Sequence, residues 1–399
     1  MSNGLSLDAM EPVAGAHASC IPGDYEVLGF ATLAELRAAA ETGMADDCGD
    51  DMFFTPAWFE NLADRGIGGD TRPSWLLVRH RRAGTAFCLP LMRKPRGGGA
   101  VYGPVLASLS TYYSSLFAPT GEPALITAGA CRAVVQHLRA RGSSPGVIDL
   151  QPLDAESAFY RFMQDALRAE GWWVDSYFCF GNWHLAVGGR TFEAYYETIP
   201  SRLRNTIRRG RKKLDDGGAW SLAVHATPGP ALEQAIADFD AIYRKSWKVP
   251  EPFPDFVPGL CRTAARLGWL RLGVVRLGDV PIAAQLWLLR DGKALIYKLA
   301  YDEEFKRFSA GSVLSADMMR RAIDDERVVD VDYLTGDDGY KADWMSHRRE
   351  RRGLIGFDAR SLQGLASAAR HFAGRAWSRR RAASAPLAVA EAGEEPASP

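Results

Sequence analysis

The chain has 399 residues, of which 47% are apolar and 24% are charged, a balance that is ordinary for a soluble globular protein. One hydrophobic core usually organises about 150 residues, so this length predicts two domains. Lysine plus arginine number 48, as do aspartate plus glutamate, so no overall field attracts nucleic acid and any anion must bind at a local cluster.

Membrane, secretory and metal-binding classes are disfavoured. No window approaches the roughly 20 apolar residues of a membrane span, and the N-terminus, with Asp8 and Glu11, lacks the apolar core of a signal peptide. We therefore predict a cytoplasmic protein. The six cysteines show no CxxC spacing, and His184, His225 and His347 have no partners at metal-ligand spacing, which predicts reduced thiols and no bound metal.

The first half predicts a tail followed by one domain. Residues 1–22 are small and polar, as in disordered tails. Residues 23–180 are expected to fold as a strand meander followed by alternating helices and strands. The predicted elements are strands Ser74–His80, Thr85–Leu91 and one around Val101, a helix Ala124–Arg141, a strand Val147–Gln151, a helix Ala155–Glu170 and a strand Trp173–Phe178.

The second half, residues 181–360, repeats this order and predicts a second domain of the same kind. Its elements are a helix Ala231–Ser246, strands Arg271–Leu277, Pro281–Leu289 and Lys293–Tyr301, a helix Gly311–Glu326, and strands Val328–Leu334 and Arg352–Phe357. The turns at Gly278-Asp279 and Asp291-Gly292 lie at hairpin spacing, so the three β-rich runs are expected to pair. The predicted fold class is α/β, with two mixed sheets flanked by helices.

Residues 361–399 are expected to form a basic helix and then a disordered tail from Ala382 onward. The helix carries arginines around Leu365, Phe372 and Trp377. This pattern fits either an ordinary surface helix or a segment that lies on an anionic membrane surface.

A strongly basic helix is predicted between the two halves, within Thr191–Leu214. Pro200 can occupy its first turn, and the apolar stripe is narrow. Its cations are Arg202, Arg204, Arg208, Arg209, Arg211, Lys212 and Lys213. The helix is either a solvated linker whose charges pair with acidic loops, or a surface that contacts cofactor phosphates, a tRNA acceptor end or a polyanionic substrate.

The segment Lys306–Ser312 leads from the third strand of the meander into a helix. Small residues at a helix start direct unpaired N–H groups and the positive end of the helix dipole at one spot, where a pyrophosphate can bind. The alternative is that Ser309 only caps the helix and Gly311 only permits close packing.

Taken together, these features resemble the GNAT superfamily acyltransferases of the tandem, two-domain type. The resemblance rests on the basic helix, the meander, Lys306-x-x-Ser309-x-Gly311, the Val331-Asp332 strand, and Gly336 followed by Tyr340-Lys341-x-x-Trp344. This type includes the cellulose-biosynthesis acetyltransferases and the Fem-type peptidoglycan aminoacyltransferases. The likeness covers Gly181–Phe357, and the first half only through its order of elements.

The resemblance implies an acyl-CoA co-substrate, with acetyl-CoA as the first choice. GNAT enzymes hold its pyrophosphate on a Gln/Arg-x-x-Gly-x-Gly/Ala loop, and here Lys306, Ser309 and Gly311 fill those slots, which keeps the cation but loses one glycine. The implied donor-binding residues are Tyr301, Lys306, Ser309, Gly311 and Ser312. The first half has no basic residue in a matching loop, so one active site is expected, in the second half.

The implied chemistry is direct acyl transfer to an amine, with the oxyanion held by a backbone N–H near Leu299–Tyr301. Asp332 would act as general base or orient the amine, Tyr340 would return a proton to the thiolate, and Lys341 would pair with a phosphate or polarise the carbonyl. Each also has a structural alternative: a turn cap, packing and solvent exposure, respectively. The predicted acceptor contacts are Arg204, Arg208 and Trp247.

The predicted acceptor is an amino sugar or another cell-envelope or exopolysaccharide precursor. Two other functions stay open. One is an aminoacyl-tRNA-dependent transferase of the Fem type, in which the basic helix grips RNA, although the balanced charge argues against nucleic acid. The other is a non-catalytic component of a polysaccharide assembly that keeps the fold without the donor chemistry.

Overall fold

The computed structural model describes residues 17–19, 23–39, 51–69, 71–82, 86–94, 105–121, 123–140 and 145–384. The predicted strand around Val101 and nearly all of the two predicted tails lie outside these residues. The chain forms two compact units. The first comprises Met1–Ala63, Ile67–Phe178 and Arg352–Trp377, and the second comprises Asp64–Gly66, Cys179–Arg351 and Ser378–Pro399.

The first unit is built on a mainly antiparallel sheet. Its strands are β1 (His17–Ser19), β2 (Tyr25–Phe30), β3 (Arg72–His80), β4 (Ala86–Lys94), β5 (Val105–Ser108), β6 (Thr120–Gly121) and β7 (Val147–Asp154). Its helices are α1 (Leu33–Ala39), α2 (Pro56–Arg65), α3 (Ala128–Ala140) and α4 (Ala158–Ala169). The strands follow the order β1-β2-β3-β4-β5-β7, with β5 and β7 parallel and β6 paired to β4.

Helix α4 shows how the sequence sets these elements. Ser157 accepts a hydrogen bond from the Tyr160 N–H and so satisfies one of the unpaired donors of the first turn. Phe159, Met163 and Leu167 recur at helical spacing and are buried. Burial of such side chains contributes about 1.5–3 kcal/mol each, which holds the helix in the unit.

The second unit contains an antiparallel meander joined to a parallel strand. Its elements are β8 (Trp172–Ala186, from Cys179 onward), α5 (Phe192–Tyr196), α6 (Ser201–Gly217), β9 (Trp220–His225), α7 (Pro230–Lys245), α8 (Phe256–Arg266), β10 (Leu270–Leu277), β11 (Val280–Arg290), β12 (Lys293–Tyr301), α9 (Ala310–Arg320), β13 (Asp330–Asp332), α10 (Gly339–Ala342) and β14 (His347–Asp358, up to Arg351). The strand order is β8-β13-β12-β11-β10-β9. Strand β13 runs parallel to β12 and antiparallel to β8.

The predicted meander is confirmed, with Gly278 and Gly292 at positive φ in its two turns. The predicted basic helix is confirmed as α6, which begins at Ser201 with Pro200 at its N-cap, and a short helix, α5, precedes it. Pro258 lies in the first turn of α8, which begins at Phe256, and proline is tolerated there.

Helices α6 and α9 form one hydrophobic cluster with the sheet of the second unit. Leu203 and Ile207 of α6 pack with Val313 and Leu314 of α9 and with Trp287 of β11. Helices α7 and α8 also pack on β10–β12, but their buried residues lie outside this cluster. The sheet is therefore covered by two separate helical layers.

Residues 352–358 of β14 and the helix α11 (Leu362–Ser384) up to Trp377 belong to the first unit. Asp175 accepts hydrogen bonds from His371 Nε2 at 2.7 Å and from Arg375, which fixes α11. Within the part of the chain that the structure describes, no helix is long and apolar enough to cross a membrane. Contact of α11 with an anionic membrane surface stays a prediction.

Candidate active site

The strands β12 and β13 separate soon after they begin. Their pairing covers only Lys293–Leu295 opposite Asp330–Asp332, whereas β12 continues to Tyr301 and stays paired with β11 throughout. The β11–β12 register also shifts by one residue at Tyr297, which is the signature of a bulge. From residue 296 onward, therefore, one edge of β12 faces an opening in the sheet rather than another strand.

Helix α9 begins at the end of this opening. Ser309 takes a left-handed conformation (φ 50°), and its side chain makes no capping bond. Its carbonyl accepts from the N–H groups of Ser312 and Val313, at 3.0 and 3.1 Å. Within the described residues, no acceptor meets the N–H groups of Ala310 and Gly311. These two donors, with the positive end of the helix dipole, are available to an anion.

Gly311 is not required for packing. A Cβ atom at this position would lie 3.5 Å from the ring of Tyr301, which is ordinary van der Waals contact. What the glycine leaves open is the surface over its own N–H, where a ligand can approach the backbone closely. Neither alternative for the loop, a side-chain cap by Ser309 or close packing at Gly311, describes what the structure shows.

The basic helix α6 supports the turn before α9. A Cβ atom at Gly210 would lie 2.8 Å from the Phe308 carbonyl oxygen, so only glycine allows the two backbones to come this close. Lys213 Nζ also donates to the Arg307 carbonyl at 2.8 Å. Part of the basic helix therefore has a local structural role, in positioning the turn that leads into α9.

A buried polar network fixes the first turn of α9 to the sheet. The amide of Gln285, which is 1% exposed, donates to the Gly311 carbonyl at 3.1 Å and to the Ser315 hydroxyl at 2.6 Å. Its oxygen accepts from Trp287 Nε1 at 2.9 Å. Every polar atom of the Gln285 amide group is thus used to hold the start of the helix on β11.

The predicted donor-binding residues lie together at this place. Ser309, Gly311 and Ser312 form the turn and the first helical residues, and Lys306 lies one turn earlier. Lys306 is exposed, and its ammonium has no hydrogen-bond or ion-pair partner in the described residues. Tyr301, at the end of β12, has its ring 4.5 Å from that of Trp247. An exposed lysine and two backbone donors therefore lie in the segment that joins β12 to α9.

Asp332 is buried and surrounded by donors. Its Oδ1 atom accepts from Asn182 Nδ2 and from the Leu334 N–H, both at 2.6 Å. Its Oδ2 atom accepts from Arg349 and lies 4.0 Å from an amino group of Arg351. These contacts fix the loop that follows β13. The catalytic role of Asp332 stays a prediction.

Lys341 is also buried, at 4% exposure. Its ammonium donates to the carbonyl of Thr335 and pairs with Asp338 at 3.3 Å, and it lies 5.4 Å from the Tyr333 ring. Burial lowers the pKa of Lys341, while Asp338 opposes this. The side chain therefore closes the loop between β13 and α10, and its predicted contact with the substrate is untested.

Tyr340 neighbours Lys341 at the start of α10. Its ring meets the Tyr333 ring edge-on at 5.7 Å, and 44% of its surface is exposed. Burial of the rest, with Asp338 nearby, raises the pKa of Tyr340. The phenol is therefore protonated at neutral pH, and its raised pKa makes it a weaker acid than a free tyrosine.

The loop between α7 and α8 places charges near this group that the sequence analysis missed. Glu251 Oε1 accepts from Lys298 Nζ of β12 at 2.6 Å. The ammonium of Lys248 lies 5.3 Å from the ring of Trp247, which is 51% exposed. Burial lowers the pKa of Lys248, and the charges of Lys298 and Lys341 lower it further. The sequence signals available for these charges were Lys298 within an apolar strand and Glu251 between two prolines.

The predicted acceptor contacts are not brought together. Trp247 lies in the α7–α8 loop, whereas Arg204 and Arg208 lie on α6 and bond to Glu197 and Asn205, respectively. Arg208 lines a separate cavity of about 480 Å³. The other lining residues are Phe192, Tyr196, Ile207, Arg211, Lys212, Asp215, Ala316, Asp317 and Arg320. No group of histidine, cysteine or acidic side chains in the described residues can hold a metal ion.

Comparison with known proteins agrees with this geometry. Residues 201–342 match the family model of the acetyltransferase (GNAT) domain. No curated protein matches the sequence. The structure is similar to that of FemX, with a TM-score of 0.57 at 12% identity over 84% of this chain and 98% of that one. It is also similar to a conserved protein of unknown function from Bacteroides thetaiotaomicron VPI-5482, with a TM-score of 0.50 at 12% identity over 82% of this chain and 97% of that one.

At this identity the two structures establish the fold alone. They confirm the predicted α/β class, and the family match adds similarity to an acetyltransferase domain for part of the second unit. The cellulose-biosynthesis type stays a prediction. The chain therefore has an α/β fold, and its residues 201–342 match the acetyltransferase (GNAT) domain.

Proposed function

We propose that the second unit transfers an acyl group from an acyl-CoA, with acetyl-CoA as the first choice, to a primary amine. One observation carries this proposal. The unpaired edge of β12 leads to the two N–H groups of Ala310 and Gly311 that lack an acceptor in the described residues, and the exposed Lys306 lies in the turn that precedes them. An elongated donor that carries a diphosphate fits an open strand edge that leads to an anion site.

The donor supplies the thioester, and the chain supplies binding and proton transfer. The N–H groups at the start of α9 and the Lys306 ammonium would hold the diphosphate. A backbone N–H of β12 near Leu299–Tyr301 would stabilise the oxyanion that forms when the amine attacks. Tyr340, protonated at neutral pH, would donate a proton to the departing thiolate. No covalent intermediate is needed.

Lys341 and Asp332 would act by setting the shape of the site. Both anchor the chain between β13 and α10, the side of the opening that faces β12. Asp332→Asn would remove the charge that compensates Arg349 and Arg351, and it should lower both stability and turnover. A loss of turnover at unchanged stability would favour the direct catalytic role instead.

The acceptor we propose is an amino sugar or a related cell-envelope or exopolysaccharide precursor in the cytoplasm. The support is the half-exposed Trp247, whose ring lies 4.5 Å from that of Tyr301 and is tilted by 40° to it, close to the opening of β12. Such a ring offers a flat apolar face to a sugar while its edge remains in water. The charged groups of Lys248 and Glu251 in the same loop add polar contacts.

The test is acyl transfer by the purified chain. Acetyl-CoA is incubated with glucosamine, galactosamine or L-lysine, and thiol release is followed together with the mass of the acceptor. The proposal expects thiol release that depends on the amine and a product heavier by one acetyl group. A chain that neither binds acetyl-CoA in calorimetry nor releases thiol with any amine would contradict it.

A second candidate is transfer from an aminoacyl-tRNA. Its support is that the exposed side chains of Arg209, Arg211 and Lys212 have no hydrogen-bond or ion-pair partners in the described residues. If α6 grips RNA, serine at Arg208, Arg209 and Arg211 should weaken tRNA binding and flatten its salt dependence. Gel-shift titration at two salt concentrations decides this, and the acyl-CoA proposal expects no binding by the unmodified chain.

A further inference from the structure

Glu251 has one carboxylate oxygen that is bonded and one that is not. Oε1 accepts from Lys298 Nζ at 2.6 Å, and the side chain is only 13% exposed. Oε2 is buried and has no hydrogen-bond partner within the described residues. A buried carboxylate oxygen without a donor is costly, so its retention points to a donor that arrives with a ligand.

The surroundings of Glu251 are cationic on three sides. Lys298 reaches it from β12, Lys248 lies in the same loop, and Lys341 approaches Lys248 from α10. Asp338 is the other carboxylate in this group, and it pairs with Lys341 at 3.3 Å. Glu251 is therefore a carboxylate that meets cations from its own loop and from β12.

Asp332 is much less able to accept a further donor. Its Oδ1 atom accepts hydrogen bonds from Asn182 and from the Leu334 N–H. Its Oδ2 atom accepts from Arg349 and lies close to Arg351. A proton moved to Asp332 would displace one of these contacts. Glu251 Oε2 has no such competitor within the described residues, so of the two carboxylates it is the one with an unbonded oxygen.

We propose that Glu251 binds the ammonium group of the acceptor through Oε2 and takes its proton. The inference rests on the proposed acyl transfer and names the group that prepares the amine. The N–H bond of the ammonium breaks, its electron pair stays on nitrogen, and the proton moves to Oε2. The amine then attacks the thioester carbonyl, and its nitrogen loses a second proton as the C–S bond breaks. The thiolate takes a proton from Tyr340, which regains one from the nitrogen, and Glu251 releases its proton to solvent. Lys298 is a positioning residue, because it fixes Oε1 and so orients Oε2.

The alternative is that the pair of Glu251 and Lys298 only fastens the α7–α8 loop to β12. Both accounts predict that removing the carboxylate disturbs the loop. Only the proton-transfer account predicts that the conservative change Glu251→Gln alters the pH dependence of the rate while donor binding stays intact. The test is therefore built on the pH profile rather than on activity alone.

The experiment compares Glu251→Gln with Asp255→Asn, which removes an exposed carboxylate from the same loop. kcat/KM is measured from pH 5.5 to 9.5 with acetyl-CoA and whichever of glucosamine, galactosamine or L-lysine reacts fastest. We expect Glu251→Gln to lower kcat/KM by about 100-fold or more, which is the usual range for loss of a general base. The acidic limb of the pH–rate profile should disappear as well. Acetyl-CoA affinity should stay within about twofold, and Asp255→Asn should behave as the wild type.

A rescue measurement separates chemistry from loop structure. Glu251→Ala leaves space beside Lys298, and added formate should restore part of the rate if a carboxylate is the missing part. No rescue together with an unchanged acidic limb in Glu251→Gln would overturn the inference. Transfer by the wild type with an equally active Glu251→Gln would also reject it while leaving acyl transfer intact. A wild type that transfers to no amine would contradict the proposed function instead.

Discussion

The Gln285 network gives a quantitative test of how the first turn of α9 is held. Gln285→Leu keeps a side chain of similar size on β11 but removes both donors and the acceptor of the amide. Trp287 Nε1 and the Ser315 hydroxyl then lose their partner in a buried site. At about 1–3 kcal/mol for each buried unpaired group, and with about 1 kcal/mol regained from the apolar side chain, the expected loss is roughly 3 kcal/mol.

Urea and thermal unfolding measure this loss. For a unit of this size, 3 kcal/mol corresponds to a fall in Tm of about 6–12 °C. Arg209→Leu, at an exposed position of α6, is the control and should change stability by less than about 0.5 kcal/mol. Ser315→Ala combined with Gln285→Leu should cost less than the sum of the two single changes, because the groups share one bond. A Gln285→Leu protein as stable as the control would refute the reasoning.

Three other expectations concern the proton donor, helix α11 and the thiols. Tyr340→Phe should lower turnover by about 100-fold at unchanged acetyl-CoA affinity, measured by steady-state kinetics and calorimetry, because the hydroxyl acts on the leaving group; equal turnover would remove the assignment. Burial opposes ionisation of Asp175, but its hydrogen bonds from α11 outweigh it and lower its pKa, so Asp175→Asn should cost about 1–3 kcal/mol at pH 7. A lowered pKa stabilises the fold above the ordinary value of 3.8, and this contribution disappears as pH falls through the lowered pKa. In urea unfolding, the difference in stability between wild type and Asp175→Asn should therefore vanish in acid. The control Asp165→Asn, at an exposed position, should show no such difference. Burial raises the pKa of the Cys131 and Cys261 thiols to about 12, so neither should be alkylated by iodoacetamide at pH 8 in the native protein, and peptide mass spectra showing rapid labelling would contradict their burial.

The parts of the fold that follow from local sequence were predictable. Gly278 and Gly292 stand where the hairpin turns need a positive φ, and alternating apolar runs define the strands on either side. The turn from Lys306 to Gly311 is also local, because small residues and a helix start lie within a few positions of one another. The position of Pro200 at the N-cap of α6, rather than in its first turn, was harder to predict, since proline is compatible with both.

The charged groups of the site depend on contacts between distant segments. Glu251 meets Lys298 across 47 positions of sequence, and Asp332 meets Asn182 across 150. No spacing rule connects such residues, and only the path of the chain through α7, α8 and the meander brings them together. Sequence alone therefore identified Asp332 as a polar residue at a strand end, but it gave no sign that its oxygens are already occupied.

Acetyl-CoA binding tests the central claim most directly. Calorimetry with the wild type, Lys306→Ala and the control Arg266→Ala, an exposed cation on α8, isolates the proposed diphosphate contact. The account predicts binding by the wild type and the control, and a loss of about 1–3 kcal/mol, or roughly 5- to 150-fold in Kd, for Lys306→Ala. A wild type that does not bind acetyl-CoA, or a folded Lys306→Ala protein that binds it equally well, would contradict the donor site.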